Sequence, residues 1–298
     1  MMSAATDEIL SDVFALLRER AGVNPDSLGV PGIAHAVRRR VSVSGAGSPH
    51  DYLHRLLVDP AEFQQLLEDL VVPETWFFRD VLAFRRLRAY LEDRRASGRQ
   101  TVRALSVGCS TGEEVYSLAM ALREAGLQPF EFHVLGVDVS RRSLELAQNG
   151  RFASNSFREL DEAIVALRQR WCEPVGESWR VRDELRSSVE FKCDNLAQPE
   201  FLAHEPPFQV VFCRNVLIYF HARARQVAVR NLRRLVSRDG ILCSAPAEAR
   251  LFSEAGFGSL GSECPFAFGH PGTLAEMVPT ANSAIRQHGV SLPHPQAI

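Results

Sequence analysis

The later part of this chain alternates short apolar runs with amphipathic helical segments, and few folds accommodate that rhythm. The apolar runs lie at 104–107, 132–137, 189–191, 210–213 and 241–243, and the helical segments at 115–122, at 143–148 and before 236. Strands and helices in alternation predict a mostly parallel, doubly wound α/β sheet with helices on both faces. Ligands of such sheets bind beyond the carboxyl ends of the strands, so functional residues are expected along that edge.

The earlier part of the chain is predicted to be helical throughout. Apolar residues recur there at helical spacing before a stop at Gly22. The first of them are Ile9, Val13, Leu16 and Leu17, and the same period returns in 33–41, 52–57 and 63–71. This periodicity, together with the change of rhythm after Ser97-Gly98, predicts an all-helical domain ahead of the α/β domain.

The chain is therefore expected to divide into a helical domain over residues 1–95 and an α/β domain over 96–272. Within the second domain, residues 171–182 contain two short β-prone runs around a Pro/Gly turn, which predicts an inserted hairpin subdomain at about 169–184. Residues 273–298 mix polar residues and proline without periodicity, and this composition predicts a disordered tail or linker.

Composition excludes several classes of function. The 34 basic and 36 acidic side chains leave a net charge of −2, so no chain-wide basic field exists to hold nucleic acid. The 6 cysteines stand singly, without metal-ligand spacing, so reduced thiols and no metal site are expected. No apolar run approaches the ~20 residues that span a bilayer, and the first residues do not form a secretory signal. We therefore expect no membrane insertion and a cytoplasmic location.

The loop from Gly108 to Glu114 follows the first predicted strand and opens a helix, where a doubly wound sheet meets nucleotide-like ligands. Glu113 and Glu114 at the helix start disfavour an anionic pyrophosphate and favour a ligand with positive charge, although they could simply complement the helix dipole. Asp138 ends the next strand, where an acid accepts hydrogen bonds from ribose hydroxyls or caps the following helix. Together these features favour a nucleoside site.

Two further segments carry candidate chemistry. Arg214 and Asn215 follow the strand at 210–213, and such polar groups indicate a cleft because burying them without partners is costly. For Tyr219, between Ile218 and Phe220, packing is the stronger interpretation, because aromatic residues beside such neighbours usually pack. The segment from Thr75 to Arg79 joins the two domains, and its aromatic residues suggest interdomain packing. An arginine that reaches the cleft could instead hold a carboxylate with two parallel hydrogen bonds.

Four separated stretches of the sequence form a set of motifs in a characteristic order. They are Val72–Asp80 (VPETWFFRD), Ser110–Ser117 (STGEEVYS), Asp138–Ser140 (DVS) and Phe212–Phe220 (FCRNVLIYF). Together they resemble the CheR family, the S-adenosylmethionine-dependent methyltransferases that esterify glutamates of chemoreceptors, over about residues 8–269. The resemblance implies a class I methyltransferase fold, with an N-terminal all-helical domain and a small inserted β-hairpin subdomain. It also implies protein-glutamate O-methyltransferase activity, with S-adenosylhomocysteine as product.

The resemblance also implies the site residues. Cofactor-binding residues are predicted to be Thr75, Arg79, Gly108, Glu113, Glu114, Asp138, Asn195, Leu196, Asn215 and Val216. Asp138 is expected to bind the ribose, and the backbone of Asn195-Leu196 the adenine. Arg79 and Tyr219 are the predicted catalytic residues: Arg79 orients the accepting carboxylate, while Tyr219 and the Phe77-Phe78 pair shape the methyl channel.

The implied partner is the cytoplasmic domain of a methyl-accepting chemoreceptor. The resemblance places Arg38, Arg39 and Arg40 on the helix that faces the receptor, although a solvated helix face is the default interpretation of such a run. The inserted hairpin is a second implied contact, but its turn is shorter than in members that grip a receptor's C-terminal peptide. The chain also departs from the family at Ala245–Glu248, where only the glutamate of the usual Gly-His-Ser-Glu is kept.

Two other functions fit parts of the sequence. One is a different class I methyltransferase that acts on a small molecule or nucleic acid, against which the balanced charge argues. The other is a non-enzymatic module that binds the donor or S-adenosylhomocysteine as a sensor. Transfer of a methyl group to a protein as a base-labile ester distinguishes the expected activity from both.

Overall fold

The computed structural model describes residues 2–71, 73–99, 101–158, 162–262 and 264–271 of the chain. The predicted tail at 273–298 lies outside these ranges. Across the described ranges the chain forms a group of N-terminal helices followed by a seven-stranded mixed sheet with helices on both faces. No helix within them is both long enough and apolar enough to cross a bilayer.

The N-terminal helices are α1 Met2–Leu16, α2 Pro25–Leu28, α3 Val30–Val43, α4 Pro49–Val58, α5 Pro60–Leu70 and α6 Val81–Ala96. Four of them, α1, α3, α4 and α5, occur where the apolar periodicity predicts them, and α2 and α6 lie outside the periodic segments. Ser48 and Asp59 cap the amides that begin α4 and α5, and a proline follows each cap, as is favoured at a helix start. A π-helical turn, Leu17–Ala21, extends α1 and ends at Gly22 in the left-handed conformation.

The predicted doubly wound sheet is confirmed. Its strands are β1 Val102–Val107, β2 Phe132–Asp138, β6 Val189–Cys193, β7 Phe208–Cys213, β8 Val236–Ser244, β9 Gly258–Ser259 and β10 Ala267–Gly269. The order across the sheet is β6-β2-β1-β7-β8-β10-β9, with parallel pairing from β6 to β8 and antiparallel pairing of β10. The winding direction reverses between β1 and β7, so a crevice is expected at their carboxyl ends.

Helices cover both faces of this sheet. The helices that follow the first strand are α7 Glu113–Glu124, α8 Arg141–Asn149, α9 Glu162–Trp171, α10 Asp183–Arg186, α11 Ala222–Leu235 and α12 Ala249–Glu254, of which α10 packs on α7. One apolar core joins α7 to one face of the sheet, and a second joins α11 to the other. Helix α6 belongs to the first core and contacts α7 and β8. The division of the chain at residue 95 stays a prediction, and the packing of α6 favours placing it before Val81.

The predicted hairpin is present and is part of a larger unit. Strands β4 Cys172–Val175 and β5 Ser178–Val181 form it, and β3 Arg151–Ala153 pairs antiparallel with β5 as a third strand. The sequence did not predict β3, because three residues directly after the helix stop at Gly150 are too few for an alternating pattern. The ring of Phe152 fixes this strand by packing edge-on against Phe77.

The arginine run on α3 is largely engaged inside the helical part. Arg40 donates from Nε and Nη2 to the two carboxylate oxygens of Glu62, both at 2.8 Å, and its side chain is only 12% exposed. Arg39 pairs with Asp69 on the same neighbouring helix, α5. The guanidinium of Arg40 therefore holds α3 against α5, and a receptor-facing role remains a prediction for Arg38 and Arg39.

Candidate functional site

A cavity of about 380 Å³ opens at the crevice beyond the carboxyl ends of β1, β2 and β7. The structure brings nearly all of the sequence-predicted site residues together in its wall. Those lining it are Thr75, Arg79, Gly108, Glu114, Asp138, Asn195, Leu196, Asn215, Val216 and Tyr219. They come from segments far apart in the chain, so the fold itself assembles the site.

Glu113 is the exception among the predicted residues. It lies outside the cavity, where its carboxylate accepts hydrogen bonds from Thr111 Oγ1 at 2.6 Å and Ser156 Oγ at 2.9 Å. Burial raises the pKa of Glu113, and these two hydroxyls oppose that rise. Consecutive helical residues do not face the same way, so only Glu114 reaches the cavity. The expected pair of cavity carboxylates at the start of α7 is therefore corrected to one.

The β1–α7 loop forms one wall and has a strained, closely packed backbone. Gly108 has a φ of +72°, and a Cβ at this position would collide with Cγ2 of Val216 across the cavity edge. Ser110 has a φ of +50°, and its amide donates to Asp138 Oδ2 at 2.8 Å. The Oγ of Ser110 is buried and has no hydrogen-bond partner among the residues that the structure describes. A buried hydroxyl of this kind in a cavity wall fits a polar ligand atom.

Asp138 is held at the end of β2 by backbone amides. Its Oδ2 accepts from Ser110 N, and its Oδ1 accepts from Ser140 N at 2.9 Å. Burial raises the pKa of Asp138, and the two amides oppose that rise because they stabilise the carboxylate. Each carboxylate oxygen has two acceptor positions, so Asp138 retains the capacity to accept from a pair of ligand hydroxyls.

A buried ion-pair network fixes Glu114 at the cavity. Arg214, whose side chain is 2% exposed, donates from Nη1 to Glu114 Oε2 at 2.9 Å and pairs through Nη2 with Asp80. Ser106 Oγ donates to the other oxygen of Glu114 at 2.7 Å. Two carboxylates thus share one guanidinium, and the net negative charge that remains favours a cationic ligand group. The network also ties Asp80, the neighbour of Arg79, to Glu114 through Arg214.

The loop after β7 is held by a buried carboxylate to which the sequence analysis assigned no role. Glu248 accepts hydrogen bonds from the backbone amides of Asn215 at 2.7 Å, Val216 at 2.8 Å and Leu217 at 2.7 Å. Burial raises the pKa of Glu248, and these amides oppose that rise. They also stabilise Asn215 in the left-handed region, with a φ of +58°. The only sequence signal was the glutamate kept at the end of Ala245–Glu248.

We predict that Glu248→Gln lowers the free energy of unfolding by about 1–3 kcal/mol, because an amide NH₂ would replace an oxygen that accepts buried N–H groups. Urea denaturation measures this change. Glu254→Gln is the matched control, because Glu254 pairs with Arg250 on the surface of α12 and should change stability by less than about 0.5 kcal/mol. Equal stability of the wild type and Glu248→Gln would contradict the clamp.

Arg79 lies at the cavity wall beside an indole. Its Nη1 donates to the carbonyl oxygen of Glu74 at 2.8 Å, and its guanidinium carbon lies 4.4 Å from the ring centroid of Trp76. The adjacent Phe77 and Phe78 are buried, and Phe77 stacks on Phe157 with centroids 4.1 Å apart. Neither phenylalanine lines the cavity. The predicted Phe77-Phe78 wall of a methyl channel is therefore corrected to core packing.

The opposite wall of the cavity is apolar and comes from the helical part. It consists of Ala21, Val23, Leu28, Leu67, Leu70 and Val71. The sequence did not predict these residues as part of the site, because apolar side chains at helical spacing carry no signal that separates a ligand wall from a helix core. Helix α5 is fixed to the sheet edge by Gln64 Nε2, which donates to the Val139 carbonyl at 2.8 Å.

Comparison with known proteins gives a consistent set of relatives. The family CheR methyltransferase, SAM binding domain, matches residues 73–255. The chain is 42% identical over 255 residues to the probable biofilm formation methyltransferase WspC of Pseudomonas aeruginosa, which covers 85% of this chain and 60% of that protein. It is 36% identical over 285 residues to WspC of Pseudomonas putida, with coverages of 95% and 66%.

A more distant relative is the chemotaxis protein methyltransferase of Salmonella typhimurium. The chain is 30% identical to it over 249 residues, which is 82% of this chain and 85% of that protein. By contrast, the chain spans less than two thirds of the length of the two WspC proteins, at 60% and 66%.

Proposed function

The chain belongs to the CheR methyltransferase family, with an S-adenosylmethionine-binding domain, and from this premise we propose that it methylates glutamate side chains of a chemoreceptor-like signalling protein. The products are a glutamate methyl ester and S-adenosylhomocysteine. The observation that carries the proposal is the placement of Arg79 and Tyr219 in the wall of the same cavity as the donor-binding candidates. A guanidinium there matches a carboxylate acceptor better than a neutral one.

The cavity residues fit the donor. S-adenosylmethionine, when bound, supplies an electrophilic methyl group on a positively charged sulfur. Asp138 has free acceptor positions for the ribose hydroxyls, Glu114 offers negative charge to the donor's ammonium group, and the unpartnered Ser110 hydroxyl offers a further hydrogen bond. The backbone of Asn195-Leu196 remains the proposed adenine contact. Gly108 and Val216 meet at the cavity edge and keep the wall closely packed there.

The acceptor needs orientation more than activation. A glutamate with an ordinary pKa of about 4.3 is already ionised at neutral pH, so no general base is required. The Arg79 bond to Glu74 uses one of the five N–H donors of its guanidinium, and the others suit a bidentate grip on the accepting carboxylate. Positioning of this kind supplies roughly 7–11 kcal/mol in well-aligned reactions. Tyr219, on the same wall, borders the path of the acceptor.

The relatives support a partner in signal transduction. One is named as a chemotaxis protein methyltransferase and two as probable biofilm formation methyltransferases. The higher identity, 42% against 30%, favours an output like that of the biofilm proteins. A chemoreceptor's cytoplasmic domain as acceptor also assigns the reaction to the cytoplasm. Arg38, Arg39 and the β4–β5 hairpin remain the proposed partner contacts.

The test is methyl transfer from labelled donor to cytoplasmic fragments of candidate receptors from the source organism. We expect label on the receptor fragment that mild base releases as methanol, because esters hydrolyse and methylated amines do not. Base-stable label, or label on nucleic acid or a small molecule, would contradict the proposal. Tight binding of S-adenosylhomocysteine with no transfer to any fragment would favour a sensor instead.

A further inference from the structure

The backbone of Tyr219 is held from the N-terminal helical part. Its carbonyl oxygen accepts from the amide of Asn24 at 2.7 Å and from Ser27 Oγ at 3.1 Å. The Ser27 hydroxyl is shared with the Asn24 carbonyl at 2.6 Å. Both donors come from the short segment Gly22–Ser27, which lies about 190 residues earlier in the chain, 192 in the case of Ser27.

The two residues after Tyr219 are joined to the same region. Phe220 forms an antiparallel bridge with Val23, and the His221 amide donates to the Gly22 carbonyl at 3.1 Å. The His221 ring accepts at Nδ1 from Ala224 N at 3.4 Å, so Nε2 carries the hydrogen and donates to the Arg18 carbonyl at 3.1 Å. These bonds run in sequence along Tyr219–His221.

The contact between the segment Gly22–Ser27 and the Tyr219 loop is closely packed at Gly22. Gly22 has a φ of +74°, and a Cβ there would collide with Cβ of Ala197 and lie 2.9 Å from Cβ of Ala224. The segment also borders the cavity, since Val23 lines it beside Tyr219. At its other end the Tyr219 loop is clamped by Glu248 through the amides of 215–217. The Tyr219 backbone is thus fixed from both sides.

We propose that Ser27 and His221 are positioning residues for Tyr219, so that the N-terminal segment Gly22–Ser27 sets where the phenol ring stands at the cavity. This inference rests on the proposed function, because that function places Tyr219 beside the path of the acceptor; Ser27 and His221 act on Tyr219 without lining the cavity themselves. Fixing a residue's carbonyl and the peptide that follows it restricts its backbone dihedrals, and these determine the origin and direction of the side chain. The helical part then contributes to catalysis as well as to partner binding.

The kinetic test uses Ser27→Ala and Ser27→Thr. With a receptor fragment as acceptor, we expect kcat to fall about two- to fivefold in Ser27→Ala, which corresponds to losing one neutral hydrogen bond, and to recover in Ser27→Thr. The KM for donor and the affinity for S-adenosylhomocysteine should stay within about twofold of wild type, because the cavity wall is intact. Ser27→Ala with His221→Ala should lose about tenfold or more.

The matched control is Ser187→Ala, whose Oγ donates to the Glu184 carbonyl at 3.0 Å in the same three-residue geometry, away from the cavity. It should retain wild-type kcat. A wild-type kcat in the double variant, or a donor KM raised as much as kcat is lowered, would overturn the inference.

A second measurement needs no acceptor. Hydrogen exchange of the peptide covering 217–224 should accelerate at least about fivefold in the double variant and stay unchanged in Ser187→Ala, since the His221 amide is bonded to Gly22. Unchanged exchange in the double variant would overturn the inference. If the wild type methylates no fragment, the proposed function fails, while the exchange result still decides whether the segment holds the Tyr219 loop.

Discussion

Arg79→Ala is expected to lower kcat/KM for the acceptor protein at least about 100-fold, because it removes a bidentate, charge-assisted pair of hydrogen bonds worth roughly 3 kcal/mol together. The affinity for S-adenosylhomocysteine should fall less than about tenfold. Arg79 lines the same cavity, but Asp138, Glu114 and the Gly108 loop supply most of the proposed donor contacts. Steady-state methylation of a receptor fragment and calorimetry with S-adenosylhomocysteine separate the two effects.

Two further variants show whether the loss comes from the geometry of the Arg79 guanidinium, from its charge or from the packing of Trp76. Arg79→Lys keeps the charge but not the planar fork, so an intermediate loss of about tenfold is expected. Arg158→Gln is the control: its guanidinium carbon lies 4.3 Å from the ring centroid of Trp76, like that of Arg79, but it does not line the cavity. It should stay within about twofold of wild type. An equal loss in Arg158→Gln would show that disturbed packing of Trp76, and not carboxylate binding, explains the effect.

The sequence predicted those parts of the site that follow directly from strand ends. Gly108, Asp138 and Asn215 each come just after a buried apolar run, and parallel strands place their carboxyl ends at one edge. Their meeting in a single cavity needs no knowledge of long-range contacts beyond that rule. The direction of a helical side chain was less predictable. Glu113 and Glu114 are adjacent, but Glu113 points away from the cavity and accepts hydrogen bonds from the hydroxyls of Thr111 and Ser156.

Contacts between segments far apart in the chain could not be predicted from local sequence patterns. The clamp by Glu248 on the loop at 215–217 depends on carboxylate and amides separated by about 31–33 residues. The apolar wall that includes Val23 and Leu67 depends on how the helical part docks against the sheet. Strands β9 and β10 were missed for a related reason, since two or three residues show no period: β10 is fixed by pairing with β8, and β9 by pairing with β10.

The backbone conformation at Gly108 leads to the largest expected effect on the donor. Gly108→Ala should weaken S-adenosylhomocysteine binding at least about 100-fold in calorimetry. A left-handed conformation costs an alanine roughly 1–2 kcal/mol, and the added methyl group also meets Val216 Cγ2. Val216 is fixed through its amide by Glu248, so its side chain has to yield within the cavity that it lines. The strain is therefore transmitted directly into the proposed donor site.

Gly176→Ala is the control that separates the cost of a left-handed backbone from the collision with Val216. Gly176, in the β4–β5 turn, has a φ of +62°, but no atom in the described part of the chain lies within 4 Å of a Cβ placed there. It should lose stability by about 1 kcal/mol with unchanged S-adenosylhomocysteine affinity, because its cost is conformational only. Adding Val216→Ala to Gly108→Ala should recover part of the binding, since it removes the colliding methyl group. Binding of Gly108→Ala at wild-type strength would mean that the donor does not depend on this loop, and the cavity at the carboxyl ends of β1 and β2 would lose its assignment as the donor site.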